Sequence, residues 1–443
     1  MSQGRRVWPV NPHGVERRAR KGQHGKESTE YLLRTVNRLR AMRGRDVDVL
    51  VVGAGPAGTA SALTAHQRGL DVAVIDKAVF PRDKTCGDGL TTSALRLLER
   101  LGVRAPTIPG YTPVREAILV SPSGRQVTLP LPDTGEHSSV VRRAALDAAL
   151  VERVRTSGVA VLERTAIAAL VPHDDGLLAR FSTGEQLHAR FVVAADGHWS
   201  AVRRLLGHDE GADLGTWHAF RQYFSGVEDR RQWVFFERDL LPGYAWVFPL
   251  AGGGANVGFG VLRDRLTSSG GKELAGLWRE VISRPRLRAV LGPDAQPEER
   301  HRAWPIPASY DAARLTAGRV LYVGDAAGVV DPMTGEGIAQ ALETGIRAAD
   351  AIARGGGPAE VTERYRNDVD RAIGRDLRLA TKLQRVLRSE LGARAAIRAA
   401  GLTAWTRRNF ARWMFEDYPR AVIFTPDRWR RGMLTPPGAY RAA

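Results

Sequence analysis

Residues 46–76, DVDVLVVGAGPAGTASALTAHQRGLDVAVID, constrain this chain more than any other stretch. The apolar run VDVLVV meets a glycine-rich turn, a stretch of small residues follows, and the second apolar run, LDVAVID, ends at Asp76. Short apolar runs bounded by glycine read as buried strands, and strand–turn–helix–strand opens a βαβ unit. On its own a GxGxxG is a weak signal; between a strand and a helix it is a specific one. Gly53 makes the tight turn, Gly55 lets the backbone approach a pyrophosphate, and Gly58 allows helix–strand contact, with Ala57 inside the same turn. The pyrophosphate then lies at a helix N-terminus, where free N–H groups and the dipole favour an anion. Asp76, eighteen residues after Gly58, is placed to accept hydrogen bonds from a ribose diol, with Lys77 beside it.

Two further segments have the same character. Ala194-Ala195-Asp196-Gly197 follows one apolar run, and Gly324-Asp325-Ala326-Ala327 follows another, with Asp331-Pro332-Met333-Thr334-Gly335-Glu336-Gly337 just beyond. A domain that binds only a nicotinamide dinucleotide has no need of an acid-bearing loop so far downstream. A longer dinucleotide whose second half extends across the protein does.

The three elements, in this order and spacing, resemble the FAD-dependent oxidoreductases of the p-hydroxybenzoate hydroxylase fold. The resemblance covers about residues 46–370 and implies FAD as cofactor, with Gly53, Gly55, Ala57, Gly58, Asp76 and Lys77 on the adenosine half. It also implies Asp325 at the ribityl or phosphate region, with Gly324 and Asp196 beside it, and a helix after Gly335 and Gly337 aimed at the flavin. Arg143, in RAALDAAL, matches that fold's Arg-x-x-Leu-Asp-x-x-Leu helix and is expected to touch the cofactor.

Within the fold, FPRDKTCGDGL (Phe80 to Leu90), which holds the only cysteine, is similar to the corresponding stretch of geranylgeranyl reductases and menaquinone polyprenyl reductases. That resemblance puts Cys86, Gly87 and Asp88 beside the isoalloxazine ring. A second signature, Tyr-x-Trp-x-Phe-Pro, is matched by Tyr244 to Pro249. On an alternating strand Tyr244, Trp246 and Phe248 share one face. They wall either an apolar tunnel or a plain sheet core. The implied activity is reduction of carbon–carbon double bonds in an isoprenoid or similar lipid by hydride transfer from the flavin. Cys86, Tyr244 and Trp246 are its candidate catalytic residues, with Cys86 either on the proton path or a small wall residue. The electron donor is NAD(P)H or a reduced carrier; no second dinucleotide motif is present.

The rival within the same fold is a flavin monooxygenase, a hydroxylase or halogenase acting on a small aromatic or carrier-bound substrate. A halogenase needs a lysine between flavin and substrate, and no lysine occurs between Lys84 and Lys272. A third class, a flavoprotein that only relays electrons, gains nothing here, since one cysteine cannot ligate an iron–sulfur cluster. No metal site is indicated by the spacing of the ten histidines.

At 443 residues, two packed domains are the natural expectation. The predicted class is α/β, with a discontinuous Rossmann-like FAD domain over 46–108, 138–210 and 314–373. A substrate domain with a mixed antiparallel sheet takes 109–137 and 211–313, the latter rich in aromatic residues and read as β-sheet. Residues 374–443 form a helical, basic C-terminal region, and 1–45 a basic arm ending in an amphipathic helix.

The net charge of +17 gathers at the ends: residues 1–45 hold twelve Arg plus Lys against three Glu, and 403–443 hold eight Arg against three acids. Such ends suit an anionic membrane surface or an acidic protein; alternatively they reflect a general preference for arginine, since only six of the 65 basic residues are Lys. No nucleic-acid motif accompanies the charge. With no signal peptide and no spanning segment, a cytoplasmic protein is expected, either free or peripheral to a membrane.

Overall fold

A computed structural model describes residues 46–208, 215–264, 271–415, 421 and 437–441. The basic arm 1–45 with its amphipathic helix, and the tail around Trp429, lie outside the described residues. The opening unit folds as β1 (Asp46–Val52), α1 (Pro56–Gln67) and β2 (Val72–Ile75). A hairpin of β3 (Glu116–Val120) and β4 (Gln126–Pro130) precedes α2 (Arg143–Thr156), β5 (Ala160–Leu162) and β6 (Gln186–Ala194). Four strands then run back and forth: β7 (Trp217–Ser225), β8 (Gln232–Phe235), β9 (Tyr244–Leu250) and β10 (Gly254–Leu262). The chain returns through β11 (Val320–Tyr322) and α3 (Ile338–Ala353), and three helices follow, α4 (Arg375–Leu387), α5 (Glu390–Ala400) and α6 (Ala404–Phe415).

The first sheet is parallel at its centre, in the order β11–β6–β1–β2–β5. Its central strands are buried along their length, Val49 to Val52 and Ala73 to Ile75 without exception. On one side α1 packs against α3 so closely that a side chain at Gly345 would meet the Ala57 carbonyl oxygen at 2.1 Å. The run of small residues in α1 is therefore a packing requirement: all ten residues from Pro56 to Ala65 are buried.

The second sheet runs β7–β10–β9–β8–β3–β4, antiparallel except where β8 pairs with β3. Strand alternation gives it two unlike faces. Ala245, Val247, Val257 and Phe259 pack under Trp278, Val281, Leu287 and Leu291. These four belong to helices Gly271–Ser283 and Pro285–Leu291, so this part of 211–313 is helical, not sheet as its flanking strands suggested. Tyr244, Trp246 and Phe248 point the other way, toward Ile397 and Ala411 of α5 and α6. At the chain's end Ala439 pairs with Glu136, and the Tyr440 hydroxyl donates to the Val103 carbonyl at 2.7 Å, fastening the tail to both β-rich and nucleotide-binding parts.

Candidate active site

A cavity of about 840 Å³ begins at the loops after β1, β6 and β11 and extends under the second sheet to α4, α5 and α6. Its volume is toward the upper end of the range for small-molecule sites, roughly 300–1,000 Å³. Gly53, Gly55, Ala57, Asp76, Lys77, Asp196, Gly324, Asp325, Gly335 and Gly337 line one end, and Cys86, Gly87, Asp88, Arg143, Tyr244 and Trp246 line the middle. Of the candidate catalytic and cofactor-binding residues, Gly58 alone does not line the cavity. A side chain there would lie 1.8 Å from the Gly53 carbonyl oxygen, so its absence lets the helix start against the turn.

The glycine turn is an open cradle. Gly53 has φ +104°, and a side chain on it would strike the Ala195 carbonyl oxygen at 2.4 Å. The first turn of α1 has Pro56 at its start and no side-chain cap, leaving its N–H groups for an anion. The Asp76 carboxylate accepts from the Ala54 N–H and the Ala78 N–H, both at 2.7 Å, which fixes it at the rim. The helix α3 likewise begins at Gly337 with no side-chain cap and faces the cavity.

The cysteine loop is held by the second sheet. Asp88, fully buried and at φ +64°, accepts from the Tyr223 hydroxyl at 2.7 Å, the Asn256 amide at 2.9 Å and the Arg143 N–H at 3.2 Å. Asn256 also donates to the Cys86 carbonyl at 2.8 Å and accepts from the Trp246 indole N–H at 2.9 Å. The indole thereby joins the loop through one amide. Further along, the buried Arg221 pairs with Asp83 at 2.8 Å and with Glu299 at 2.6 Å. Guanidinium groups of Arg221 and Arg142 stand over the Tyr223 ring at 3.9 and 4.2 Å. Arg221, Tyr223 and Asn256 were not identified from sequence: each lies on a strand more than 130 residues from the loop it anchors.

Charges are arranged unequally along the cavity. Burial by itself would raise the Asp325 carboxyl, but Lys84, with Nζ at 2.5 Å from Oδ2, holds it below the usual range. Lys84, the last lysine before the lysine-free stretch that ends at Lys272, is thus engaged by Asp325. Asp196 is pushed up by burial, and its Oδ1 is buried with no hydrogen-bond partner among the described residues. Arg143 makes a two-pronged pair with Asp147 at 2.8 Å, joined by Arg82 at 3.1 Å. Burial raises the Cys86 thiol, outweighing the opposing pull of Arg143, so at neutral pH it keeps its proton. The Tyr244 hydroxyl donates to the Thr334 carbonyl, tying the sheet to the Asp331–Gly337 turn.

The far end is apolar. Val234, Phe236, Trp246 and Phe248 form its floor; Leu383, Leu387, Ile397, Phe410, Trp413 and Met414 form its roof. The C-terminal helices were expected as a separate basic region, and their share in the cavity went unforeseen. Away from it, His173 and Asp175 on an exposed turn and half-buried His188 on β6 bring ligand-type atoms within 4.8 Å of one another.

A capless helix start beside bare glycine backbone, an unpartnered buried Asp196 oxygen and a second capless helix facing the same space suit a phosphate-bearing ring cofactor. Together they define an FAD-binding oxidoreductase. Residues 46–372 match the FAD binding domain family. The chain is 32% identical over 330 residues to menaquinone reductase of Mycolicibacterium smegmatis, covering 70% of this chain and 77% of that one. It is 32% identical over 340 residues to digeranylgeranylglycerophospholipid reductase 1 of Methanothermobacter thermautotrophicus, covering 74% and 82%. The crystal structure of a geranylgeranyl bacteriochlorophyll reductase-like protein from Thermoplasma acidophilum superposes with TM-score 0.70 at 22% identity, over 86% of this chain and 99% of that one. The chain belongs to the geranylgeranyl reductase family of FAD-dependent oxidoreductases, on the p-hydroxybenzoate hydroxylase fold.

Proposed function

We propose that this enzyme saturates carbon–carbon double bonds in the prenyl chain of a lipid, a polyprenyl quinone or a prenylated glycerophospholipid, using electrons from NAD(P)H or a reduced carrier. The observation that carries this is the apolar far end of the cavity, walled by Trp246 and Phe248 below and Leu383, Leu387, Ile397 and Phe410 above. A small aromatic substrate has no use for so long an apolar wall, and two named relatives are reductases of prenylated substrates. When bound, reduced FAD supplies a hydride to one alkene carbon.

The chain's own residues do the rest. The Gly53–Gly58 turn, Asp76, Lys77, Asp196 and Asp325 bind and orient the cofactor. Cys86, kept protonated by burial, holds a proton at Sγ for the second carbon. Asn256, Asp88 and Tyr223 fix the loop that carries Cys86, and Trp246 and Phe248 exclude water from it. Tyr244, whose hydroxyl is engaged by Thr334, acts as a positioning residue. The test is anaerobic: reduce the bound flavin chemically and add a polyprenyl quinone in detergent. Reoxidation with appearance of a saturated chain supports the reading. Reoxidation only after air is admitted would move the search to hydroxylation of aromatic substrates.

A further inference from the structure

A water-insoluble chain needs a route into the cavity that avoids water. The described residues include an exposed apolar and basic surface where the cavity reaches the outside. Val386 both lines the cavity and is 54% exposed, so the cavity meets solvent at the end of α4. The chain that follows carries three more exposed apolar side chains, Leu391 at 79%, Leu402 at 63% and Trp405 at 74%. Large apolar side chains this open are normal singly, but here Val386, Leu391 and Trp405 lie on three consecutive helices and Leu402 in the turn before the last.

The polar residues among them are one-sided. From Arg375 to Phe415 there are ten Arg plus Lys and two acids. On α5, Leu391, Arg394, Ala395 and Arg398 are all exposed and spaced three or four apart, one outward stripe, while Ala393 and Ile397 turn inward to the cavity. Exposed Lys382, Arg385 and Arg398 make no ion pair among the described residues. An acidic protein would answer the charge but not the apolar side chains; an anionic lipid surface answers both.

We infer that the outer face of α4, α5 and the start of α6 is a membrane-docking surface, which seats Leu391, Leu402 and Trp405 among the lipid headgroups and sets the cavity mouth at Val386 against an anionic bilayer. Lys382, Arg385 and Arg398 meet lipid phosphates, and the prenyl chain passes from the acyl layer into the cavity without crossing water. This surface lies apart from the basic arm 1–45 and shares with the basic stretch 403–443 only the start of α6 at Trp405, and its use as an entry route rests on the lipid reading of the cavity.

The test uses the full chain with bound flavin. Leu391→Cys is labelled with an environment-sensitive fluorophore; Cys86 is only partly accessible, and a labelled wild-type control measures its share. Vesicles of phosphatidylglycerol and phosphatidylcholine are added, then phosphatidylcholine alone. A blue shift with the anionic vesicles, weakened by salt, is the expected result. Leu391→Asp with Trp405→Ser should lower vesicle partitioning at least tenfold, and Arg398→Gln roughly fivefold. Both variants should keep full flavin content and full turnover of a detergent-dispersed substrate. Sedimentation with vesicles but no shift at residue 391 would assign docking to the basic ends and overturn the proposal. A shift that follows protein concentration without lipid would assign the face to a second copy of the chain, and overturn it too. Failure of turnover alone, with the shift intact, would strike the reductase reading and leave the docking surface standing.

Discussion

The two faces of the second sheet are made from the same strands and have opposite fates. Ala245 and Val247 are packed under a lid of Trp278, Val281, Leu287 and Leu291 and are buried. Tyr244, Trp246 and Phe248, one residue out of step, face helices that stand far enough away to leave room for ligands. The difference lies in what covers each face. Helices inserted within the sheet's own sequence seal one side, whereas helices arriving from the far end of the chain roof the other. A site forms where packing is left incomplete, and the sealed face supplies the rigidity that keeps the open one in place.

The largest effect is expected from damage to the sealed face. Trp278→Ala removes a side chain that is 2% exposed and stacked on Phe259 and His301, and should lower stability by about 3–5 kcal/mol in denaturant titration. If stability is kept, the sealed face is not the sheet's structural side.

The next effect concerns the buried acid between the two regions. Burial raises Asp88 from 3.8 to about 6, so the folded state takes up its proton more readily than the unfolded chain. Its contribution is therefore greatest below about pH 4 and is lost as pH rises through about 6, a change of about 3 kcal/mol. Asp88→Asn, which tolerates the positive φ, should abolish this dependence. Stability curves of both proteins between pH 4 and 8 must then converge in slope only if Asp88 is not the titrating group.

Smaller still is Gly258→Ala. The added carbon would stand 2.3 Å from Cζ2 of Trp246 and 2.2 Å from the Phe220 carbonyl oxygen. Displacing the indole should cost about 1–3 kcal/mol and weaken its bond to Asn256, visible as a changed flavin spectrum. The mildest change is Leu383→Ala in the roof. It should cost about 1 kcal/mol of stability yet raise KM for a long prenyl substrate roughly tenfold, with kcat little changed.

How much of this was legible depends on how local each signal is. The Gly53–Gly58 turn and Asp76 lie within one βαβ unit, and the face shared by Tyr244, Trp246 and Phe248 follows from period-two alternation. Asp88 could be named, but not its reason. Tyr223 and Asn256 reach it only because β7 and β10 pair in a register that places Asn256 opposite Tyr223. The helix carrying Leu277, Trp278 and Val281 shows apolar residues at helical spacing, a signal obscured by the aromatic strands before it. For α4 to α6 the helices themselves were visible; which face meets the sheet is a tertiary outcome that their arginine-rich pattern does not specify.

On the proposed function, the apolar end of the cavity holds a prenyl chain. A photoreactive diazirine placed near the tail of a polyprenyl analogue, followed by peptide mass spectrometry of the flavin-loaded protein, tests it most directly. Labels on Leu383, Leu387, Ile397 or Phe410, suppressed by unlabelled polyprenyl quinone, are the predicted result. Labels confined to the exposed Trp405 or Leu391, with the roof residues clean, would contradict it.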